Sequence, residues 1–176
     1  MDSSLGRNLV HKTLWHKTGL FSGRMRFVSS TRPPTLDEQL CFDLYAASRA
    51  VTSLYRPLLG ELGITYPQYL VLLVLWTEGS QHVRDLGAAL HLDHGTLTPL
   101  LRRMEVAGLV TRERASGDER LVEIGLTDHG RSLGAHAHGI QCQVKSVLGL
   151  DDDEFAALQA SLRIVTSRAH DPAVTA

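Results

Sequence analysis

Two cysteines stand in the 176-residue chain, Cys41 and Cys142, each either a buried filler or a reactive thiol. Cys41 has Tyr45 four residues on, one helical turn away, with Tyr55 and Tyr66 further along the chain. Phenolic O–H groups donate hydrogen bonds and tolerate apolar surroundings. Donors of that kind favour the thiolate, the form that peroxides oxidise. On residue types alone, a helix cysteine beside a tyrosine is more often core packing, so both readings stand at this point. Two cysteines make no disulfide framework, which points to a reducing compartment, the cytoplasm.

A second set of residues suits DNA. Asp93 caps a helix running to about Ala107, with Gly108 as its stop. With Leu97, Leu100, Leu101 and Met104 turned inward, His94, Gly95, Thr98 and Arg102 fall on the opposite face, flanked by Thr96 and Arg103. Small and hydroxyl residues at a helix start let backbone N–H groups approach phosphate, and arginines reach phosphate or guanine. A solvated polar face would look the same. The balance is tipped by a hairpin directly after this helix, carrying Arg112, Arg114 and Arg120, the residue type preferred in a narrow minor groove. Glu113, Asp118 and Glu119 lie among them, so some arginines are paired, and Asp118 and Glu119 are placed to brace the turn with Arg120 at its tip.

These residues need a scaffold. Thr35-Leu36-Asp37-Glu38 reads as a capping box opening a long amphipathic helix, with Leu36, Leu40, Leu44, Ala47, Val51, Leu54 and Leu58 on one face. Thr65, with Pro67 in the first turn, starts a second helix that Gly79 closes. A short helix from Val83 to about His91 precedes the Asp93 helix, and the pair fits helix-turn-helix geometry. The apolar period then changes: Leu109–Arg114 and Leu121–Leu126 are strand-like around the turn residues Ala115-Ser116-Gly117-Asp118. Thr127 caps a helix to about Val147, and the acidic run from Asp151 opens a last one carrying Phe155, Leu158, Leu162 and Val165. The fold class is mainly α with a small β-wing.

An apolar fraction of 43% and a charged fraction of 21% are ordinary for a globular chain. The longest strongly apolar run, Leu70 to Trp76, falls far short of the roughly 20 residues that cross a bilayer, so no membrane partner is expected. The formal net charge of −1 hides an asymmetry. Residues 1–35 carry six Lys and Arg against Asp2, leaving 12 basic and 18 acidic residues in the remainder. An acidic body excludes indiscriminate polyanion binding and confines any DNA site to a local patch. Residues 1–34 read as a disordered basic tail ending in Arg32-Pro33-Pro34. An organelle-targeting peptide and a true start at Met25 are the other readings of that tail.

The blocks Leu40-Cys41-Phe42 with Tyr45, Tyr55-Arg56-Pro57-Leu58-Leu59, Leu62 to Leu70, Leu92 to Leu101 and Asp118-Glu119-Arg120 together resemble one family. It is the organic hydroperoxide resistance regulators (OhrR), a branch of the MarR family of winged-helix regulators. The match is close over about residues 36–130 and looser beyond. The resemblance implies a winged helix-turn-helix lobe at 63–126 and dimerisation helices at 35–62 and 127–170. It implies a homodimeric repressor over a palindromic double-stranded DNA operator, with Cys41 as the peroxidatic cysteine. It also implies that tyrosines matching Tyr55 and Tyr66 reach that thiolate from the other subunit, with Tyr45 in the pocket. Oxidation by an organic hydroperoxide then releases DNA. In the family the sulfenic acid is capped either by a small cellular thiol or by a second cysteine. Cys142 is the candidate for that resolving role, although it falls about one turn before the usual position, near Ser146. His94 stands where most relatives carry serine, which puts operator preference in question.

No cofactor is implied. The nine histidines lack ligand spacing: His136 and His138 point apart on a helix, and His91 and His94 straddle a cap, so no metal site is expected. Two rival functions remain. One is a repressor released by a phenolic or aromatic ligand, with Cys41 as packing. The other is a thiol peroxidase, for which the chain offers no Arg and Thr constellation to polarise a peroxide; the expectation is a non-enzyme.

Overall fold

The computed structural model describes residues 32–114 and 122–170, and of Arg114 the backbone alone. Seven α-helices and three strands are present among them: α1 (Leu40–Glu61), α2 (Tyr66–Glu78), β1 (Gln81–His82), α3 (Val83–Leu90), α4 (His94–Val106), β2 (Val110–Arg114), β3 (Val122–Leu126), α5 (Asp128–Ser132), α6 (Ala137–Leu148) and α7 (Asp152–Ala169).

The core lies in the central lobe. Val71, Leu72 and Leu75 of α2, Leu86 of α3, Leu97, Leu101 and Met104 of α4 and Ile124 of β3 are sealed from solvent. Burying side chains of this size yields about 1.5–3 kcal/mol each, so this cluster is what clamps α3 and α4 together. The caps set the boundaries. The Asp93 carboxylate accepts from the Thr96 backbone N–H at 2.8 Å at the start of α4, and the Thr65 N–H donates to Gln68 Oε1 at 2.8 Å at the start of α2. Gly108, at φ 67°, ends α4 and lets the Leu109 N–H fold back to the Met104 carbonyl at 2.9 Å.

The strands form one antiparallel sheet in the order β1-β3-β2. Arg112 faces Ile124 and Arg114 faces Val122 in the β2–β3 ladder. β1 pairs Gln81 with Ile124 and His82 with Glu123. The architecture is a winged helix-turn-helix, with β2 and β3 as the stem of the wing.

Two expectations are corrected. The Thr35–Glu38 box does not open α1. It closes a single 3-10 turn at Leu36–Glu38, and Gln39, extended at φ −99° and ψ 99°, separates that turn from α1. The apolar stripe of the N-terminal turn and α1 lies open within one chain: Leu36 and Leu40 are 56% and 61% exposed, and Leu59 alone in α1 is buried. The helix expected from Thr127 to Val147 is broken into α5, a 3-10 segment at Leu133–His136, and α6. The cause is long-range. Gly130 packs so tightly on the Leu109 carbonyl that a Cβ would sit 2.0 Å from its oxygen, and the Trp76 indole fills the space beside Gly134. Trp76 Nε1 also donates to the Gly130 carbonyl at 2.9 Å, taking an acceptor from the helical ladder.

α7 has no buried residue within the chain. Asp151 caps it, accepting from the Glu154 N–H at 2.8 Å, so the acidic run is a helix start. Leu158, Leu162, Ile164 and Val165 all remain exposed. Its far end returns to the lobe, where the His170 ring lies 5.0 Å from that of His91. Among the described residues no single helix is long and apolar enough to cross a membrane.

Candidate redox site and nucleic-acid interface

Cys41 sits exposed in the first turn of α1 with a free thiol. Tyr45, one turn later, is 57% exposed, and its hydroxyl accepts from Arg49 Nη1 at 2.8 Å while the guanidinium lies 5.5 Å from the ring centre. The other two predicted tyrosines are elsewhere. Tyr55 and Tyr66 meet across the α1–α2 corner with ring centroids 4.8 Å apart, and Tyr69, 3% exposed, joins them at 5.9 Å from Tyr55. Trp76 extends the cluster, 6.0 Å from Tyr69. Burial raises the phenol pKa of Tyr55, Tyr66 and Tyr69 above the ordinary value, with the neighbouring tyrosines adding to it for Tyr55 and Tyr69. All three are therefore neutral hydrogen-bond donors at physiological pH.

The structure does not bring Cys41 to Tyr55 and Tyr66 within one chain. Tyr55 comes fourteen positions after Cys41 along α1, which at 1.5 Å per residue is about 21 Å. No tyrosine side chain spans that gap. Cys142 lies on the exposed side of α6, opposite the buried Ile140 and Val144, with its Sγ 3.5 Å from His138 Nε2.

On the other face of the lobe, His94, Gly95, Thr96, Arg102 and Arg103 project from α4 into solvent, with Thr98 half-buried. The Thr98 hydroxyl lies 3.3 Å from His94 Nε2. The Asp93 carboxyl is held below its usual range, first by the Thr96 backbone N–H and then by the Thr96 hydroxyl, so the cap stays charged at neutral pH. Arg112 is exposed on β2, and a cleft of about 630 Å³ between α3, α4 and the wing stem is lined by His94, Thr98, Arg84 and Arg112. The predicted wing-tip residues Asp118 and Arg120 lie outside the described residues.

The family model for the transcriptional regulators SarA/Rot matches residues 53–136. The HTH-type transcriptional regulator TtmR of Methylorubrum extorquens is 47% identical over 138 residues, 78% of this chain and 71% of its own. The organic hydroperoxide resistance transcriptional regulator of Bacillus subtilis is 44% identical over 135 residues, 77% of this chain and 92% of its own. The chain belongs to the organic hydroperoxide resistance branch of the MarR family. It is a transcriptional regulator of that type. Among solved structures, reduced AbfR bound to DNA superimposes with a TM-score of 0.64 at 38% identity, covering 76% of this regulator and 94% of AbfR, a Staphylococcus epidermidis protein that has also been solved with a disulfide formed.

Two features of this regulator escaped the residue pattern. Tyr69 was visible only as part of a sequence block, because nothing in spacing says that it packs between Tyr55 and Trp76. The contact between His138 and Cys142 was visible as i,i+4 spacing and carried no weight without a fold around it.

Proposed function

We propose that this regulator is a homodimeric repressor that binds a palindromic operator when reduced and releases it when an organic hydroperoxide oxidises Cys41. The observation that carries the reading is the separation of the cysteine from its donors. Cys41 stands exposed at one end of α1, and three neutral, half-buried or buried tyrosines cluster at the other. A second copy running antiparallel along α1 sets each Cys41 against the partner's tyrosines, so the sensor is complete in the dimer alone. The exposed apolar residues of the N-terminal turn, α1 and α7 support a dimer face on 35–62 and 127–170, with 63–126 left to DNA.

In the reduced state Tyr55 and Tyr66 donate to the thiolate, with Tyr45 beside it. The thiolate attacks the peroxide O–O bond, giving a sulfenic acid on Cys41 and releasing the alcohol. A sulfenic acid can no longer hold both phenols as the thiolate did. Loss of those bonds re-aims the two lobes, and the DNA contacts of His94, Gly95, Thr96, Thr98, Arg102 and Arg103 in the major groove fall out of register. Arg112, Arg114 and Arg120, with Asp118 bracing the tip, serve the minor groove. The protein acts in the cytoplasm as a sensor turning over once per oxidation, without cofactor or metal, and a small cellular thiol or Cys142 closes the cycle. The AbfR structures, reduced on DNA and disulfide-bonded, support a redox reading of this kind.

The test is a gel shift with the regulator's own upstream DNA, before and after one equivalent of cumene hydroperoxide. Wild type is expected to release the DNA and Cys41→Ser to hold it. Release by the serine variant refutes the sensor reading and moves the case to a ligand-released repressor.

A further inference from the structure

We infer that His138 and Cys142 form a resolving pair, in which His138 carries the proton that must move when Cys142 attacks the oxidised Cys41 of the partner subunit. The inference rests on the redox reading above. Its observations are its own: the 3.5 Å contact between Cys142 Sγ and His138 Nε2, and the place of the helix that carries both, tied by its first turn to the tyrosine cluster.

Two contacts fix that place. The Tyr69 hydroxyl donates to the Ala137 carbonyl at 3.3 Å, which ties the tyrosines to the first turn of α6. Cys142 is five residues further on, a rise of about 7.5 Å. Along the same seam, Leu58 and Glu61 of α1 and Leu62 just after it line a cleft with Gly139, Ile140 and Gln143 of α6. Cys142 therefore sits at the tyrosine end of α1, and Cys41 of the same chain is about 25 Å up the helix from Leu58. A disulfide requires Cα atoms within about 7 Å, so the two cysteines of one chain cannot join. The copy of Cys41 that meets Tyr55 and Tyr66 is the partner's, and the same docking brings it to the end of α6 that holds Cys142.

Atoms and electrons balance in each step. An organic hydroperoxide takes two electrons from the Cys41 thiolate, leaving a sulfenate and an alcohol, and a proton from water converts the sulfenate to the sulfenic acid. His138 Nε2 accepts the Cys142 thiol proton. The Cys142 thiolate attacks Cys41 Sγ, the S–S bond forms and the S–O bond breaks. The departing hydroxide takes the proton from the imidazolium and leaves as water. The attacking sulfur needs a proton acceptor within hydrogen-bond reach, and the leaving oxygen needs a donor; one imidazole serves both in turn. Other ionisable groups lie close by. Lys145, three residues past Cys142, is ion-paired to Asp152, while Glu61 and His136 line the cleft between α1 and α6.

The experiment uses full-length wild type, Cys142→Ser, His138→Gln and His138→Ala, each reduced and then given one equivalent of cumene hydroperoxide. Dimedone trapping reads the sulfenic acid on Cys41, and non-reducing gels read the covalent dimer. Wild type is expected to pass from sulfenic acid to disulfide-linked dimer, and Cys142→Ser to stop at the sulfenic acid. Both His138 variants should form the sulfenic acid at the wild-type rate but the disulfide on the order of tenfold to a hundredfold more slowly. Their rate should rise only toward the range of a free thiol, about pH 8.5, and added imidazole should restore the His138→Ala rate. Equal disulfide rates and pH profiles in wild type and His138→Gln overturn the inference. So does a wild type that forms the sulfenic acid and no Cys41–Cys142 bond, an outcome that leaves the sensor reading intact. A wild type whose Cys41 forms no sulfenic acid overturns both.

Discussion

Consider α7 with Leu158 and Leu162 both changed to alanine. Within one chain neither side chain is buried; they are 48% and 41% exposed, and the helix contributes nothing to the core of the lobe. The variant should therefore keep its fold and lose the partner. Full burial of a leucine is worth about 1.5–3 kcal/mol, so each has roughly 1 kcal/mol still to gain on dimerisation. A two-fold interface buries both copies of both residues, which brings the loss to roughly 4 kcal/mol, or about a thousandfold in the dimer Kd. Sedimentation over a dilution series reads that constant directly. Val106→Ala, which trims a 90% exposed side chain at the end of α4, is the matched control and should leave it unchanged. A dimer constant moved by less than about tenfold would refute the assignment of this face.

Two further outcomes rest on single contacts. Gly130→Ala places a methyl 2.0 Å from the Leu109 backbone oxygen. Something rigid must move, so the melting temperature should fall by several degrees, in line with about 1–3 kcal/mol of overpacking, and an unchanged melt would contradict the packing described. Replacing Arg102 and Arg103 together by alanine should weaken operator and nonspecific binding alike and flatten the slope of log K against log salt by about two units. An unchanged slope would remove both residues from the phosphate contacts.

The parts of the fold readable in the sequence are those whose signals are local. Asp93 caps α4, Gly108 ends it, and the alternation of Val122, Ile124 and Leu126 announces a strand with Ile124 inward. Each depends on residues within one turn or one ladder step. What escaped depends on distant partners. The break between α5 and α6 comes from Trp76, 54 residues before the Gly130 carbonyl it holds. β1 is two residues long and exists because β3 pairs with it. The Thr35 box was recognised but attached to the wrong element, since a capping box looks the same before a 3-10 turn as before a helix. Among the site residues, the helix face on α4 emerged from periodicity, while the tyrosine pair owed its place to family resemblance. Spacing alone sets Tyr55 on the same helix as Cys41, about 21 Å away, and says nothing of a second copy that would close that distance.

That distance frames the decisive measurement, the rate of Cys41 sulfenic acid formation in mixed dimers with organic hydroperoxide. One dimer pairs a Cys41→Ser subunit with a subunit carrying Tyr55→Phe and Tyr66→Phe. The other pairs wild type with a subunit carrying all three changes. If the sensor is built across the dimer, the lone Cys41 of the first pair faces intact tyrosines and reacts at the wild-type rate, while the lone Cys41 of the second faces phenylalanines and reacts on the order of tenfold more slowly, the scale of losing hydrogen bonds to a charged group. The reverse order would place the tyrosines with the cysteine of their own chain and contradict the account.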